Sequence, residues 1–186
     1  MAGTFDIDEL ISACQEAVAT DDPLLATRDL LARAVERKAA VADVFRPGRG
    51  GLNVLYNTPE LTVLNVVWAP GMTLLPHDHR MWAAIAVYAG REDNAFFRRL
   101  RGDRKHLAEA GGQVVDEGDV LLLGDDAIHS VHNPLDSVTA AIHVYGGDFV
   151  HEPRSQWGPG EREEQPWSLD FVNREFAEAN ARAGLG

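Results

Sequence analysis

Residues 71–90 read G-M-T-L-L-P-H-D-H-R-M-W-A-A-I-A-V-Y-A-G, and the pattern in that stretch decides the fold. Side chains two apart on a strand leave on one face, so His77 and His79 point together while Asp78 points away. Two neutral imidazoles on one face make half of a metal site. The other half stands downstream in residues 118–133, G-D-V-L-L-L-G-D-D-A-I-H-S-V-H-N, where His129 sits in another short apolar strand. In a closed sheet, strands distant in sequence lie side by side and their inward residues share one interior. His129 then closes a triangle with His77 and His79.

These two stretches resemble the paired motifs of the cupin superfamily. The first motif runs Gly, five residues, His-x-His, three or four residues, Glu, six residues, Gly; here Gly71, His77, His79 and Gly90 fill it. The second runs Gly, five residues, Pro-x-Gly, two residues, His, three residues, Asn; Gly118, His129 and Asn133 fill that one. Ala83 or Ala84 stands at the Glu position, and Gly124 and Asp126 replace the Pro and Gly. The resemblance implies a mainly β fold, the cupin double-stranded β-helix or jelly-roll barrel, and the missing Glu implies a metal site of three histidines.

A three-histidine cupin is similar to the thiol dioxygenases, the cysteine and 3-mercaptopropionate dioxygenase group. That likeness implies Fe(II) on His77, His79 and His129, with dioxygen and a small thiol as substrates and a sulfinate as product. The group carries a Ser-x-His-x-Tyr strand beside the iron; residues 141–145, A-I-H-V-Y, supply His143 and Tyr145 on one face, with Ala141 in place of the Ser. Catalytic roles for His143 and Tyr145 follow from the resemblance. The run H-D-H-R-M-W resembles bacterial members and implies Trp82 as a pocket wall. Cysteine-specific enzymes hold the substrate carboxylate with an Arg on the strand before the metal motif, but residues 52–68 contain neither Arg nor Lys. The substrate's tail is therefore left open. The cysteine–tyrosine crosslink of the animal enzymes is impossible, because the only cysteine is Cys14.

Imidazoles also accept nickel, zinc and copper, so other metals and other chemistry stay open: cleavage of a β-diketone, hydrolysis or isomerisation at a polarised carbonyl, or plain binding of a metal or metabolite.

Composition narrows the classes further. With 186 residues and 45% apolar content, the chain suits one cupin domain over residues 1–186. We divide it into a helical part at 1–50, a β-barrel at 51–150, and a loop with a C-terminal helix at 151–186. The net charge of −12 argues against nucleic acid and against anionic membrane surfaces. A single Cys and the lack of a signal-type opening point to the reducing cytoplasm. Monomer and homodimer are both open, since an exposed barrel edge can pair two subunits.

Along the chain, residues 5–40 read as helical, with Asp6 and Glu9 as a capping box and Asp22-Pro23 starting a second helix. Short β-branched and aromatic runs then alternate with Gly, Pro, Asn and Asp from 52 to 150. Pro153, Pro159 and Pro166 make residues 151–167 a surface loop, a lid or a strap, and Ser168 caps a last helix with Leu169, Val172, Phe176 and Ala179 inward. Among the remaining polar residues, His132 has the wrong parity for the site, and His106 and His151 read as surface. Arg80 contacts an anion only if the strand ends or bulges there. Arg98 and Arg99 alternate, so one of them faces inward and needs a carboxylate from protein or substrate; Arg98 joins Arg80 and Trp82 as a pocket candidate.

Overall fold

The computed structural model describes residues 4–158 and 163–186, without the side chains of Arg104 and Lys105. Three helices open the chain: α1 (Ile7–Val18), α2 (Pro23–Val35) and α3 (Lys38–Phe45). The Asp6 side chain accepts from the amides of Asp8 and Glu9, and Asp22 accepts from Leu25, so the first two helices begin where a short acidic side chain caps their free N–H groups. The third helix carries helical structure past residue 40 and stops at Arg46, in a left-handed conformation before Pro47. One apolar stripe (Leu10, Cys14, Leu31, Val35, Val41) lies against the outer face of a sheet.

Eleven strands follow among the described residues: β1 (Gly51–Asn57), β2 (Thr62–Trp68), β3 (Thr73–Asp78), β4 (Ala83–Ala89), β5 (Arg91–Leu100), β6 (Asp103–Asp116), β7 (Val120–Leu123), β8 (Ile128–His132), β9 (Thr139–Tyr145), β10 (Ser155–Trp157) and β11 (Glu164–Pro166). They form two antiparallel sheets, ordered β1-β2-β9-β4-β7 and β11-β10-β3-β8-β5-β6. This is a double-stranded β-helix, the fold that the resemblance of the two histidine motifs implies. Strands β2, β9 and β4 are buried on both faces. Alternate residues go outward under the helices (Val63, Ala84, Ile142, Val144) and inward to the barrel core (Leu64, Ile85, Ala141, Tyr145). Gly90 turns the chain from β4 into β5 at φ +79, where a Cβ would lie 2.5 Å from the Thr139 hydroxyl.

Residues 151–167 depart from the expected loop. Two short strands, β10 and β11, add themselves to the second sheet through Gln156 opposite His77, so the segment is a strap held by backbone pairing. Pro159 lies outside the described residues. After the strap, Ser168 caps α4 (Leu169–Ala183), which ends at Gly184 in a left-handed conformation. Val172, Phe176 and Ala179 join the barrel core, and Phe176 stacks on Trp68 at 5.4 Å. The Asn180 amide exchanges two hydrogen bonds with the Gly50 backbone, at 2.8 and 2.9 Å, and ties this helix to the start of the barrel. No helix among the described residues is long and apolar enough to cross a membrane.

Candidate metal centre

Strand pairing brings the histidines together. His77 on β3 lies directly opposite His129 on β8, and His79 follows at the end of β3. All three are buried, and one nitrogen from each lies within 4.8 Å of the others. Two of the outer nitrogens are already committed: His77 Nδ1 donates to the Leu75 carbonyl at 2.9 Å and His129 Nδ1 to Asn94 Oδ1 at 2.8 Å, whereas His79 Nδ1 has no hydrogen-bond partner among the described residues. Both acceptors lack a proton to give, so each Nδ1 carries the hydrogen and each Nε2 keeps its lone pair. The Nε2 atoms of His79 and His129 are 3.4 Å apart. Nitrogens about 2.1 Å from one ion, at angles between octahedral and tetrahedral, sit about 3.0–3.4 Å from each other. The residues fit a metal, and converging lone pairs in an apolar interior repel without one.

Burial also keeps the rings neutral. Loss of solvation is the main cause that lowers His77 to about 4, against a smaller upward pull from its bond to Leu75. His79 and His129 are held well below the ordinary histidine value, first by desolvation and then by their imidazole neighbours. Neutral imidazole is the form that binds metal.

His143 and Tyr145 stand on the inner face of β9. Tyr145 packs edge-on to His79 with ring centroids 5.0 Å apart, and its hydroxyl lies 3.0 Å from His143 Nδ1. Ala141 shares their face without a polar group. The cavity over the three histidines is small, about 20 Å³, with walls from Leu52, Val66, Leu74, Val131, Phe149 and Phe176. That is room for about one water.

The three pocket candidates lie elsewhere. Trp82 packs on the other side of β9, its ring so close to Gly146 that a Cβ there would be 2.1 Å from the indole. It therefore covers the barrel under the N-terminal helices. Arg80 takes a left-handed conformation with φ +57, which swings it outward to Ser155 Oγ at 3.3 Å and into an open cleft of about 330 Å³. Arg98 keeps the inward parity of Glu92, Asn94 and Phe96 but is exposed, because β5 runs past its pairing with β8 after Phe97. Its neighbour Arg99 pairs with Asp78 at 3.2 Å and Glu164 at 3.0 Å, so neither arginine enters the barrel. His132 faces away and bonds Thr73 and the Met72 carbonyl. His106 and His151 pair with Asp103 and Asp148. Asn133 is structural: its amide donates to the carbonyls of Trp68, Ala69 and Ser137.

Two charged residues that the sequence pattern does not flag stand beside the site. Arg154, in the strap, is only 4% exposed and lies over the rings of Phe149 at 4.0 Å and Trp167 at 3.5 Å. Its Nη1 donates to the Phe149 and Glu152 carbonyls, whereas Nε and Nη2 have no partner among the described residues. Desolvation pulls it down to about 10, so the guanidinium stays charged at neutral pH with no carboxylate in contact among the described residues. Glu92, on β5, is fully buried inside the barrel. A Pro-flanked Arg and a Glu after a glycine turn both read as surface residues in a sequence; only burial singles them out.

No family model matches the chain. Solved structures similar to it include a protein from Bacillus halodurans (16% identity, 57% of this chain and 77% of that chain, TM-score 0.49). An RmlC-like cupin family protein with a double-stranded β-helix fold from Methanocaldococcus jannaschii is 11% identical over 55% of this chain and 84% of that chain, with TM-score 0.43. Oxalate oxidase in complex with the substrate analogue glycolate is 18% identical over 54% of this chain and 52% of that chain, with TM-score 0.42. The chain itself carries two antiparallel sheets in a double-stranded β-helix, with a candidate site of three histidines, His77, His79 and His129.

Proposed function

We propose that this protein is a non-haem iron dioxygenase of the thiol-oxidising type, acting on a small thiol that bears an anionic group. The observation that carries this reading is the convergence of three neutral imidazoles, with no carboxylate among them, beside the His143–Tyr145 pair. His77, His79 and His129 would hold Fe(II), which when bound supplies an uncompensated cationic centre with open positions for an anion and dioxygen. Nickel, zinc or copper fits the same ligands.

The chain's own residues do the rest. Arg154 offers two unpartnered nitrogens, Nε and Nη2, in a low-dielectric setting, and a carboxylate on the substrate is the partner that relieves them. Tyr145 Oη takes the proton the thiol loses and passes its own to His143 Nδ1, 3.0 Å away. Phe149, Val172 and Phe176 keep water out of the cavity. Both atoms of dioxygen end in the sulfinate and the sulfur supplies all the electrons they take up, so no outside reductant is needed.

The test is oxygen uptake by protein loaded anaerobically with Fe(II), over thiols with and without a carboxylate, with His129→Ala as control. Uptake needing both iron and a thiol carboxylate, in a ratio of one dioxygen per thiol and lost in the variant, is the expected result. No uptake with any thiol despite bound iron overturns the reading. The apolar walls Leu52, Val66, Leu74 and Val131 favour a second one, cleavage of an apolar dicarbonyl compound at the same centre. Uptake with diketones in place of thiols selects it, and bound metal with no uptake from either class selects a binding protein.

A further inference from the structure

A buried acid stands behind the site with no Lys or Arg in contact among the described residues. Glu92 is 0% exposed, and its Oε1 accepts the Trp68 indole N–H at 2.7 Å. The same oxygen lies 3.6 Å from His143 Nε2, within ion-pair reach and longer than a hydrogen bond. Glu92 Oε2 and His143 Nε2 have no hydrogen-bond partner among the described residues. On its other side, His143 Nδ1 meets the Tyr145 hydroxyl at 3.0 Å. The four side chains Trp68, Glu92, His143 and Tyr145 thus run in a line from the barrel wall to His79.

Such an acid is costly, because burying a carboxylate without a paired cation opposes folding. Trp68 alone does not require it, since a neutral amide would accept the indole N–H equally well. His143 does. Its Nε2 has one donor-seeking neighbour, and a carboxylate oxygen can only accept. A single ring hydrogen therefore belongs on Nε2, which leaves Nδ1 as an acceptor for the tyrosine hydroxyl. Ala141, the same-face residue that could otherwise bond the imidazole, has no polar group.

We propose that Glu92 is the positioning residue of the site: by facing His143 Nε2 it fixes the tautomer in which Nδ1 accepts from Tyr145. The phenol then points its hydrogen at His143 and its lone pairs at the cavity, so it meets a substrate group that brings its own proton. This rests on the thiol reading for its chemistry, whereas the tautomer itself can be measured without any substrate.

The experiment has two arms. Long-range nitrogen–proton NMR on 15N-histidine-labelled, zinc-loaded protein reads the tautomer of His143, assigned by a His143→Gln variant. The Nε2–H form is expected in the native protein, and the Nδ1–H form overturns the proposal; this arm needs no change at Glu92. The second arm is Glu92→Gln, which keeps an acceptor for Trp68. The expected result is a tautomer that shifts or becomes mixed and a kcat about 10- to 100-fold lower, with KM, metal content and Tm preserved. An unchanged tautomer, or a loss of metal and Tm in step with activity, overturns it. If iron-loaded protein takes up no oxygen with thiols, the NMR arm still decides the role of Glu92 while the thiol reading falls by itself.

Discussion

At the scale of single residues, the histidine triangle shows how little of a metal site is the ligands alone. Asn94 does not touch the cavity, yet its amide oxygen holds the hydrogen of His129 on Nδ1 and aims Nε2 inward. Asn94→Ala removes that acceptor from a buried ring. Metal affinity is expected to fall about 10- to 100-fold, read by competition with a chelator, with the fold intact by circular dichroism. Unchanged affinity would mean that β8 alone fixes the ring. The sequence made His77, His79 and His129 legible because strand periodicity is strict and an imidazole pair two apart has few other uses. Glu92, Asn94 and Arg154 were hidden for the opposite reason. Each is a polar residue of a type usually found on surfaces, and its meaning lies in contacts that neither spacing nor composition encodes.

At the scale of elements, the two strands within the strap are the part that pattern reading missed. They have three residues each and carry few apolar side chains, so no periodic signal exists; a polar network fixes them instead. Asp78 Oδ1 accepts the Ser155 amide at 2.7 Å, Asp78 Oδ2 meets Arg99 at 3.2 Å, and Glu164 meets Arg99 at 3.0 Å. Arg99 is partly exposed, so its ion pairs contribute little, and the buried bond to the Ser155 amide dominates. Asp78→Ala is expected to cost about 1–3 kcal/mol in urea unfolding and to speed hydrogen exchange of the strap's amides, leaving β9 protected. Equal protection in the strap would show that backbone pairing suffices. The parity that sent Asp78 off the metal face was readable, but not what it would meet there. The arginines of β5 were misjudged because parity does not tell where the barrel ends: the strand outruns its pairing with β8 after Phe97, and R-E-D-N-A-F-F-R-R-L carries no mark of that point. The helices, by contrast, followed from caps and apolar stripes, and α3 alone ran past its expected end.

At the scale of the whole molecule, the buried imidazoles link folding to pH. The unfolded chain protonates histidine near its ordinary value of about 6.5, whereas desolvation holds His77 at about 4 in the fold and the other two ligands well below the ordinary value. Below about pH 6.5 the unfolded state takes up protons that the fold refuses. Stability of the metal-free protein is therefore full above that pH and declines as pH falls toward the folded value of about 4. Urea midpoints measured across this window are expected to drop, and to drop less in His79→Leu, which lacks one of the three groups. A flat profile would mean that the ligands reach solvent. The size of the cavity has a consequence in time as well. A chamber with space for about one water, walled in part by Phe149 and Phe176, admits nothing larger as it stands. Any larger molecule that reaches the three histidines has to displace packed side chains first, so the packing of the walls sets the pace of entry.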